Sequence, residues 1–233
     1  MKQMKTVGII GGVGPETTAK FYLEIIFRTF EKNKVARPPI LMWSLPLKYE
    51  IEREMLLTQT GEERYLPFLI DAAKRLEKGG VDFLVLPSNT LHLFIHQIRK
   101  SVTIPVISLI EEVARFLEGK KIKRVGILTT TTAVKNNLYQ EILKNKKIKT
   151  LFPDRNDQKL INQIINRLVL NQVSNNDREK LIEIAEKFGD FGAKTVLLAC
   201  TDLQLLVPKS KKMKIVDTMK IYAQAVVNKI LER

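Results

Sequence analysis

Cysteine occurs once in the 233 residues, at Cys200. It closes the apolar run Val196-Leu197-Leu198-Ala199, and two short polar residues, Thr201 and Asp202, follow it. An apolar run bounded in this way predicts a buried strand. In an open parallel α/β sheet the carboxyl ends of the strands face the ligand crevice, so a thiol there is placed for chemistry. A free thiol titrates near about 8.5, and helix N-termini or cationic neighbours lower that value, which makes cysteine a usable base or nucleophile. Packing is the other reading, because a lone cysteine also behaves as a small core hydrophobe.

A second stretch repeats the first. Gly80-Val81-Asp82-Phe83-Leu84-Val85-Leu86-Pro87-Ser88 lies over Gly192-Ala193-Lys194-Thr195-Val196-Leu197-Leu198-Ala199-Cys200 without a gap, at an offset of 112 residues. Ser88 therefore falls opposite Cys200. The preceding helices superpose at the same offset, Ile70, Ala73 and Leu76 over Ile182, Ala185 and Phe188. Upstream, Val7-Gly8-Ile9-Ile10 resembles Val125-Gly126-Ile127-Leu128, and downstream Pro105-Val106-Ile107-Ser108 resembles Lys214-Ile215-Val216-Asp217. Self-similarity of this extent predicts two like halves.

The elements that must carry these tips follow from periodicity and turn residues. Strands are predicted at residues 6–10, 39–45, 81–86 and 104–107, then at 123–128, 150–152, 195–198 and 215–216. Helices are predicted at 15–33, 66–78, 91–100, 111–118, 158–169, 177–188 and 218–232. Strands alternating with helices give an α/β fold: two pseudo-symmetric domains, each a four-stranded, mostly parallel sheet flanked by helices. Equivalent strand tips of two facing halves would converge on one cleft, with Ser88 on one side of a ligand and Cys200 on the other. Two groups on opposite faces of a tetrahedral carbon are what stereochemical inversion requires.

Other groups are candidates for holding a carboxylate. Gly11-Gly12-Val13-Gly14 precedes Pro15 at a helix start. The spacing lacks the third glycine of a dinucleotide fingerprint and the Lys-Ser or Lys-Thr of a P-loop. Backbone N–H groups at such a start can hold an anion. Asn89, Thr90, Thr130 and Thr201 supply hydroxyl and amide donors near the tips, and the run Thr129-Thr130-Thr131-Thr132 can serve either as anion donors or as helix caps. Lys159 near the start of the 158–169 helix opposes the macrodipole, which suggests another purpose. Arg53, in the charged excursion after the second strand, could clamp a carboxylate or form a surface ion pair. His92 and His96, four apart, would share a helical face, but no glutamate follows His92 as in the zinc motif. Both are read as structural, and no metal is expected.

Bulk properties narrow the classes. Hydrophobic residues make up 45% of the chain, ample for packed cores. The single cysteine excludes an internal disulfide and suits a reducing, cytoplasmic compartment. No apolar run is long enough to cross a bilayer. Lys and Arg number 39 against 25 Asp and Glu, a net charge of +14. The lysines cluster at predicted turns without interleaved aromatics. The charge is therefore read as a solvated surface that attracts small anions, with neither nucleic acid nor membrane as partner.

On these residues the chain resembles the aspartate/glutamate racemase family, whose members work without pyridoxal phosphate. The resemblance rests on Gly8-Ile9-Ile10-Gly11-Gly12-Val13-Gly14-Pro15, on Pro87-Ser88-Asn89-Thr90 and on Ala199-Cys200-Thr201-Asp202, with His92, the threonine run and Gln158-Lys159 in support. It implies a site between two domains, a last helix that returns to the first domain, and usually a homodimer. The expected domains are residues 1–103 plus 217–233, and residues 104–216. It also implies a cofactor-independent racemase of aspartate, or next of glutamate, with Asn89, Thr90 and Thr201 binding substrate and Lys159 meeting a carboxylate. The family pattern has a cysteine where this chain has Ser88. Chemistry at Cα is therefore expected to be asymmetric, with Cys200 as main base and Ser88 as weak donor or water holder. A malonate decarboxylase using one cysteine is similar, hydantoin racemases and maleate isomerases share the fold but usually with two cysteines, and a carboxylate-binding homologue without turnover also fits. Side-chain specificity is expected in residues 44–53.

Overall fold

The structure, a computed structural model, describes residues 4–58, 60–206 and 209–232. Eight strands form two four-stranded sheets, parallel at every pairing: β1 (Val7–Gly11), β2 (Ile40–Ser44), β3 (Phe83–Val85) and β4 (Val106–Ile107), then β5 (Arg124–Leu128), β6 (Lys149–Leu151), β7 (Thr195–Leu198) and β8 (Lys214–Asp217). The helices are α1 (Pro15–Lys32), α2 (Tyr49–Thr58), α3 (Leu66–Lys78), α4 (Ile95–Ser101), α5 (Leu109–Gly119), α6 (Thr131–Lys135), α7 (Gln140–Asn145), α8 (Arg155–Val169), α9 (Asn175–Lys187) and α10 (Thr218–Ile230). The expected fold class is the observed one: α/β, two parallel sheets flanked by helices.

The strand orders are the same. The first sheet runs β2-β1-β3-β4 and the second β6-β5-β7-β8. Described residues up to Glu112, with those from Met219 onward, form one compact unit, and Val113 to Thr218 form the other. In each sheet the two central strands are buried, as covering a parallel sheet on both faces requires. Each unit has its own core. In the first, Leu69, Ala72, Ala73 and Leu76 of α3 pack on Leu84 of β3. In the second, Ile161, Ile164 and Leu168 of α8 and Leu181 and Ile184 of α9 pack on Val196 and Leu198 of β7.

The repeat holds at the level of single hydrogen bonds. Gly80 (φ +80) and Gly192 (φ +77) both take the left-handed conformation that ends the preceding helix. Gly80 N–H donates to Glu77 and Val81 N–H to Leu76, while Gly192 N–H donates to Gly189 and Ala193 N–H to Phe188. These are the same bonds displaced by 112 residues. Two strands are shorter than predicted, Phe83–Val85 for 81–86 and Val106–Ile107 for 104–107. At the carboxyl end of β3 a side chain replaces the next rung, as described below, while β4 ends at Ile107 as expected and is short only at its start.

Candidate functional site

In the first unit, β3 leads into Leu86-Pro87-Ser88-Asn89. The ladder to β4 would continue from Leu86 N–H to the Ile107 carbonyl. The Tyr222 hydroxyl of α10 stands between them, accepting from Leu86 N–H (3.1 Å) and donating to Ile107 O (2.7 Å). That insertion is why the strands stop. The Tyr222 ring is fixed by stacking on Phe21, with centroids 5.3 Å apart. Ser88 N–H then donates to Leu86 O (2.8 Å), making a tight turn.

Ser88 is held from a second side. His92 Nδ1 lies 2.6 Å from the Ser88 carbonyl oxygen, and Leu109 N–H, at the first residue of α5, lies 2.9 Å from His92 Nε2. A carbonyl only accepts and an amide only donates. Nδ1 therefore carries the proton, Nε2 the lone pair, and the ring is neutral. Burial pushes its pKa down to about 4. The helix predicted at 91–100 begins instead as a 3₁₀ turn, Thr90–Phe94, and becomes α4 only at Ile95. His92 is buried and His96 exposed, so the two do not share a face. The bond from the His92 side chain back to Ser88 O holds the tighter turn. Asn89 and Thr90 are buried beside Ser88.

The glycine turn ends β1, the strand beside β3. Gly12 has φ +88, and a Cβ there would lie 2.6 Å from Ser44 Oγ and 2.7 Å from Leu45 N. Its N–H is bonded to Thr18 Oγ1 (3.1 Å), and the Thr18 hydroxyl donates to Gly14 O (3.1 Å). Of the amides read as anion donors, that of Gly12 is thus already used within the turn.

In the second unit, the β7 tip is clamped by hydroxyls. Ala199 N–H donates to Leu128 O, the Thr129 hydroxyl to Ala199 O, and the Thr218 hydroxyl to Leu198 O, each at 2.8 Å. Gln158 Nε2 of α8 donates to Thr129 O (2.9 Å). Because Leu128 pairs with Leu198, the turn with Thr129 and Thr130 and the turn with Cys200 and Thr201 leave adjacent strands. Thr130 Oγ1 accepts from Ala133 N–H (3.2 Å) as the cap of α6, and Thr131 Oγ1 accepts from Asn162 Nδ2 (2.7 Å). Capping is one role of the threonine run. Thr201 is buried beside the sulfur-bearing residue.

The Cys200 side chain is 5% exposed, in the cluster with Ile161, Leu198 and Leu203. Its pKa is far above the ordinary thiol value, raised first by burial and then by the Asp202 carboxylate. Desolvation disfavours the thiolate, and the neighbouring carboxylate adds to it. Two groups act the other way: the backbone N–H groups of Asp202 and Leu203 donate to the sulfur. The thiol points at Asp202 Oδ2, 3.7 Å away. Asp202 was missed as a functional group, although a carboxylate two residues after a thiol at a tight turn was visible in Cys200-Thr201-Asp202. Tyr139, fully buried in this unit, has its phenol pKa raised by burial and then by the charge of Cys200.

Two further candidates change standing. Helix α8 begins at Arg155 because Asp154 caps it, accepting from Asn156 and Asp157 N–H at 2.9 Å each. Lys159 is therefore exposed in the second turn, and its supposed conflict with the macrodipole disappears. The Arg53 side chain lies outside the described residues. Residues 44–53 run from the end of β2 into α2. Among the described residues, no three His, Cys, Asp or Glu side chains gather as a metal set, and no helix is long and apolar enough to cross a membrane.

The sequence profile described as Asp/Glu/Hydantoin racemase matches residues 10–226. The chain is 25% identical over 230 residues to the broad specificity amino-acid racemase RacX of Bacillus subtilis (strain 168), covering 97% of this chain and 98% of that one. Among solved structures it is similar to PH1733, an aspartate racemase homologue from Pyrococcus horikoshii OT3, with 25% identity and a TM-score of 0.78 over 98% of this chain and all of that one. It also shares the fold of the aspartate racemase from Picrophilus torridus, with a TM-score of 0.77 at 24% identity over 98% of this chain and 95% of that one.

The neutral His92 makes stability depend on pH. Its folded pKa of about 4 lies below the ordinary 6.5. The unfolded chain thus binds the extra proton first, and stability falls as pH drops from 6.5 towards 4. Denaturant unfolding at pH 7.5 and 5 should differ by about 2 kcal/mol from this group. In His92→Gln that share of the difference should vanish, and an unchanged pH dependence would contradict the assignment.

Proposed function

The chain belongs to the Asp/Glu/Hydantoin racemase family and is an amino-acid racemase, and on that premise we propose that it inverts an acidic amino acid, aspartate first and glutamate second, without a cofactor. One observation carries the reading: the Cys200 thiol lies 3.7 Å from the Asp202 carboxylate, and the backbone N–H groups of Asp202 and Leu203 also act on the sulfur. A buried thiol is a poor base, and this arrangement supplies what it lacks. The thiol proton passes to Asp202 Oδ2, and the thiolate is held by the N–H groups of Asp202 and Leu203. The thiolate then takes the Cα proton, and the electron pair left on Cα spreads into the substrate's carboxylate. The substrate ammonium group, arriving near the sulfur, favours the thiolate further.

Ser88 provides the second face of Cα in this reading. Its hydroxyl is a weak acid and a weaker base, so proton transfer there is slow or passes through water. Activity is therefore asymmetric, with Cys200 the effective base for one enantiomer. Asn89, Thr90, Thr130 and Thr201 hold the α-carboxylate, and Lys159 meets the side-chain carboxylate. The aspartate preference is supported by the names of the structural relatives and by the +14 charge. The broad specificity named for the Bacillus subtilis relative argues for testing a wide panel.

A chiral assay with aspartate, glutamate and other amino acids tests the proposal. Interconversion of aspartate should be fastest, and Cys200→Ala should lower it by about 10²–10⁴-fold. Undiminished turnover in that variant would contradict the proposal. Release of carbon dioxide from a substituted malonate, with no inversion, would favour a single-cysteine decarboxylase. The role of Asp202 has its own signature. In the native protein the thiol proton stays within the site, so kcat/KM should be nearly flat between about pH 6.5 and 8.5. In Asp202→Asn the proton must leave to solvent, and the burial-raised thiol should then make kcat/KM rise about tenfold per pH unit. A flat profile in the variant would exclude Asp202 as the acceptor.

A further inference from the structure

The two sheets repeat each other at their carboxyl tips but not at their amino edges. In the second sheet Arg124 pairs with Lys149, and Thr195 pairs with Lys214. Gly126 pairs with Val196, which sets Arg124 level with Lys194. All four strands therefore start from an exposed cation in one row, about 15 Å long at the spacing of neighbouring strands. The loops that feed them, residues 120–124, 144–149, 191–194 and 209–214, hold 13 Lys and Arg and no Asp or Glu. In the first sheet the equivalent loops, residues 4–6, 33–39, 79–82 and 102–105, hold three Lys and Arg and one Asp. Fold is not the reason for the difference, since the strand orders are the same. Taken one at a time along the chain, these loops read as solvated turns; the sheet makes them one surface.

Two further features set this edge apart. Lys121 (φ +55) and Lys147 (φ +56) hold the left-handed position that ends a helix. Lys121 N–H donates to Glu118 O and Ile122 N–H to Leu117 O, while Lys147 N–H donates to Lys144 O and Ile148 N–H to Leu143 O. These are the bonds made at Gly80 and Gly192. A lysine in that conformation carries a steric cost that glycine escapes. The helix dipole does not require it, because Lys120 and Lys146 already stand at the same helix ends. The other feature is Phe191, which is 63% exposed and whose carbonyl accepts from the Arg124 guanidinium at 3.1 Å. Among the described residues, Lys146 and Lys212 are the members of this set that form ion pairs, with Glu118 and Glu186.

A row of cations so little neutralised calls for a polyanion. A bilayer presents a plane, and one phenylalanine is a weak anchor in it. A polynucleotide presents a line of phosphates, and its bases stack on an aromatic ring set beside a guanidinium. We propose that the amino-terminal edge of the second sheet binds single-stranded nucleic acid, with phosphates along the row and a base on Phe191. This edge lies at the opposite ends of the strands from Cys200, and the inference stands apart from the substrate and the reaction.

Fluorescence anisotropy of the full chain with a labelled oligothymidylate of about 20 nucleotides reads the outcome. Binding should engage about four phosphates, so Kd should rise about fiftyfold between about 50 and 200 mM salt. Lys121→Gly combined with Lys147→Gly keeps both turns and removes two charges, so its thermal midpoint should hold or rise. Its Kd at low salt should be about tenfold higher, and its salt response should shrink to about sevenfold. Lys74→Gln combined with Lys78→Gln, at two exposed lysines of the first unit, removes the same net charge and should leave Kd within about twofold. Phe191→Ala should weaken the single strand about tenfold and a duplex of the same length hardly at all. Absence of binding at about 50 mM salt, equal losses in the two lysine pairs, or equal losses of single strand and duplex in Phe191→Ala would overturn the proposal. So would a protein that leaves the oligonucleotide free and binds vesicles of phosphatidylcholine and phosphatidylserine through the same lysines.

Discussion

A parallel sheet runs out of hydrogen-bond partners at its carboxyl edge. Each buried N–H or C=O left there without a partner costs about 1–3 kcal/mol. Both sheets meet this with side chains brought from far along the chain. In the first, the Tyr222 hydroxyl fills the rung between Leu86 and Ile107, and His92 joins Ser88 to Leu109. In the second, the hydroxyls of Thr129 and Thr218 take the two carbonyls that precede Cys200. Satisfying the sheet edge and placing Ser88 or Cys200 are therefore one act. Loss of any of these groups would loosen a proposed catalytic position as well as the fold.

Much of the frame was legible from sequence because it is local or repeated. The glycines at 80 and 192, the buried runs they precede and the matching helices follow from residue type and spacing alone. The partners at the strand tips were not legible. Tyr222 and Leu86 are 136 positions apart, and Thr129 and Ala199 are 70 apart. No periodicity reports such pairs. The same reason explains why β3 ends early and why the chain turns tightly at His92, where a side-chain bond replaces a regular rung. Lys159 was misplaced in its helix because Asp154, and not a later residue, caps α8.

The environment of Cys200 was the least legible feature, since it depends on everything packed around it. Strand position alone left open whether the thiol serves chemistry or packing. The apolar cluster keeps it protonated at rest, with Asp202 and two amides held in readiness. Such a thiol is protected, because oxidation proceeds through the thiolate. In the proposed reaction, reactivity arises only when a cationic ammonium group joins the site.

Ser88 and Cys200 differ greatly as bases, and that difference is the core of the proposed chemistry. Thermodynamics hides it from a simple assay. Two enantiomers are equally stable, so the kcat/KM values for net interconversion must match in the two directions. Exchange of the Cα proton without inversion is not so constrained. The most direct measurement is proton NMR of Cα–H loss from each pure enantiomer of aspartate in deuterated water, before appreciable inversion. One enantiomer should exchange faster than the other by about tenfold or more, with retention of configuration and loss of the effect in Cys200→Ala. Equal exchange from both enantiomers, or exchange that persists without the thiol, would contradict Cys200 as the single effective base.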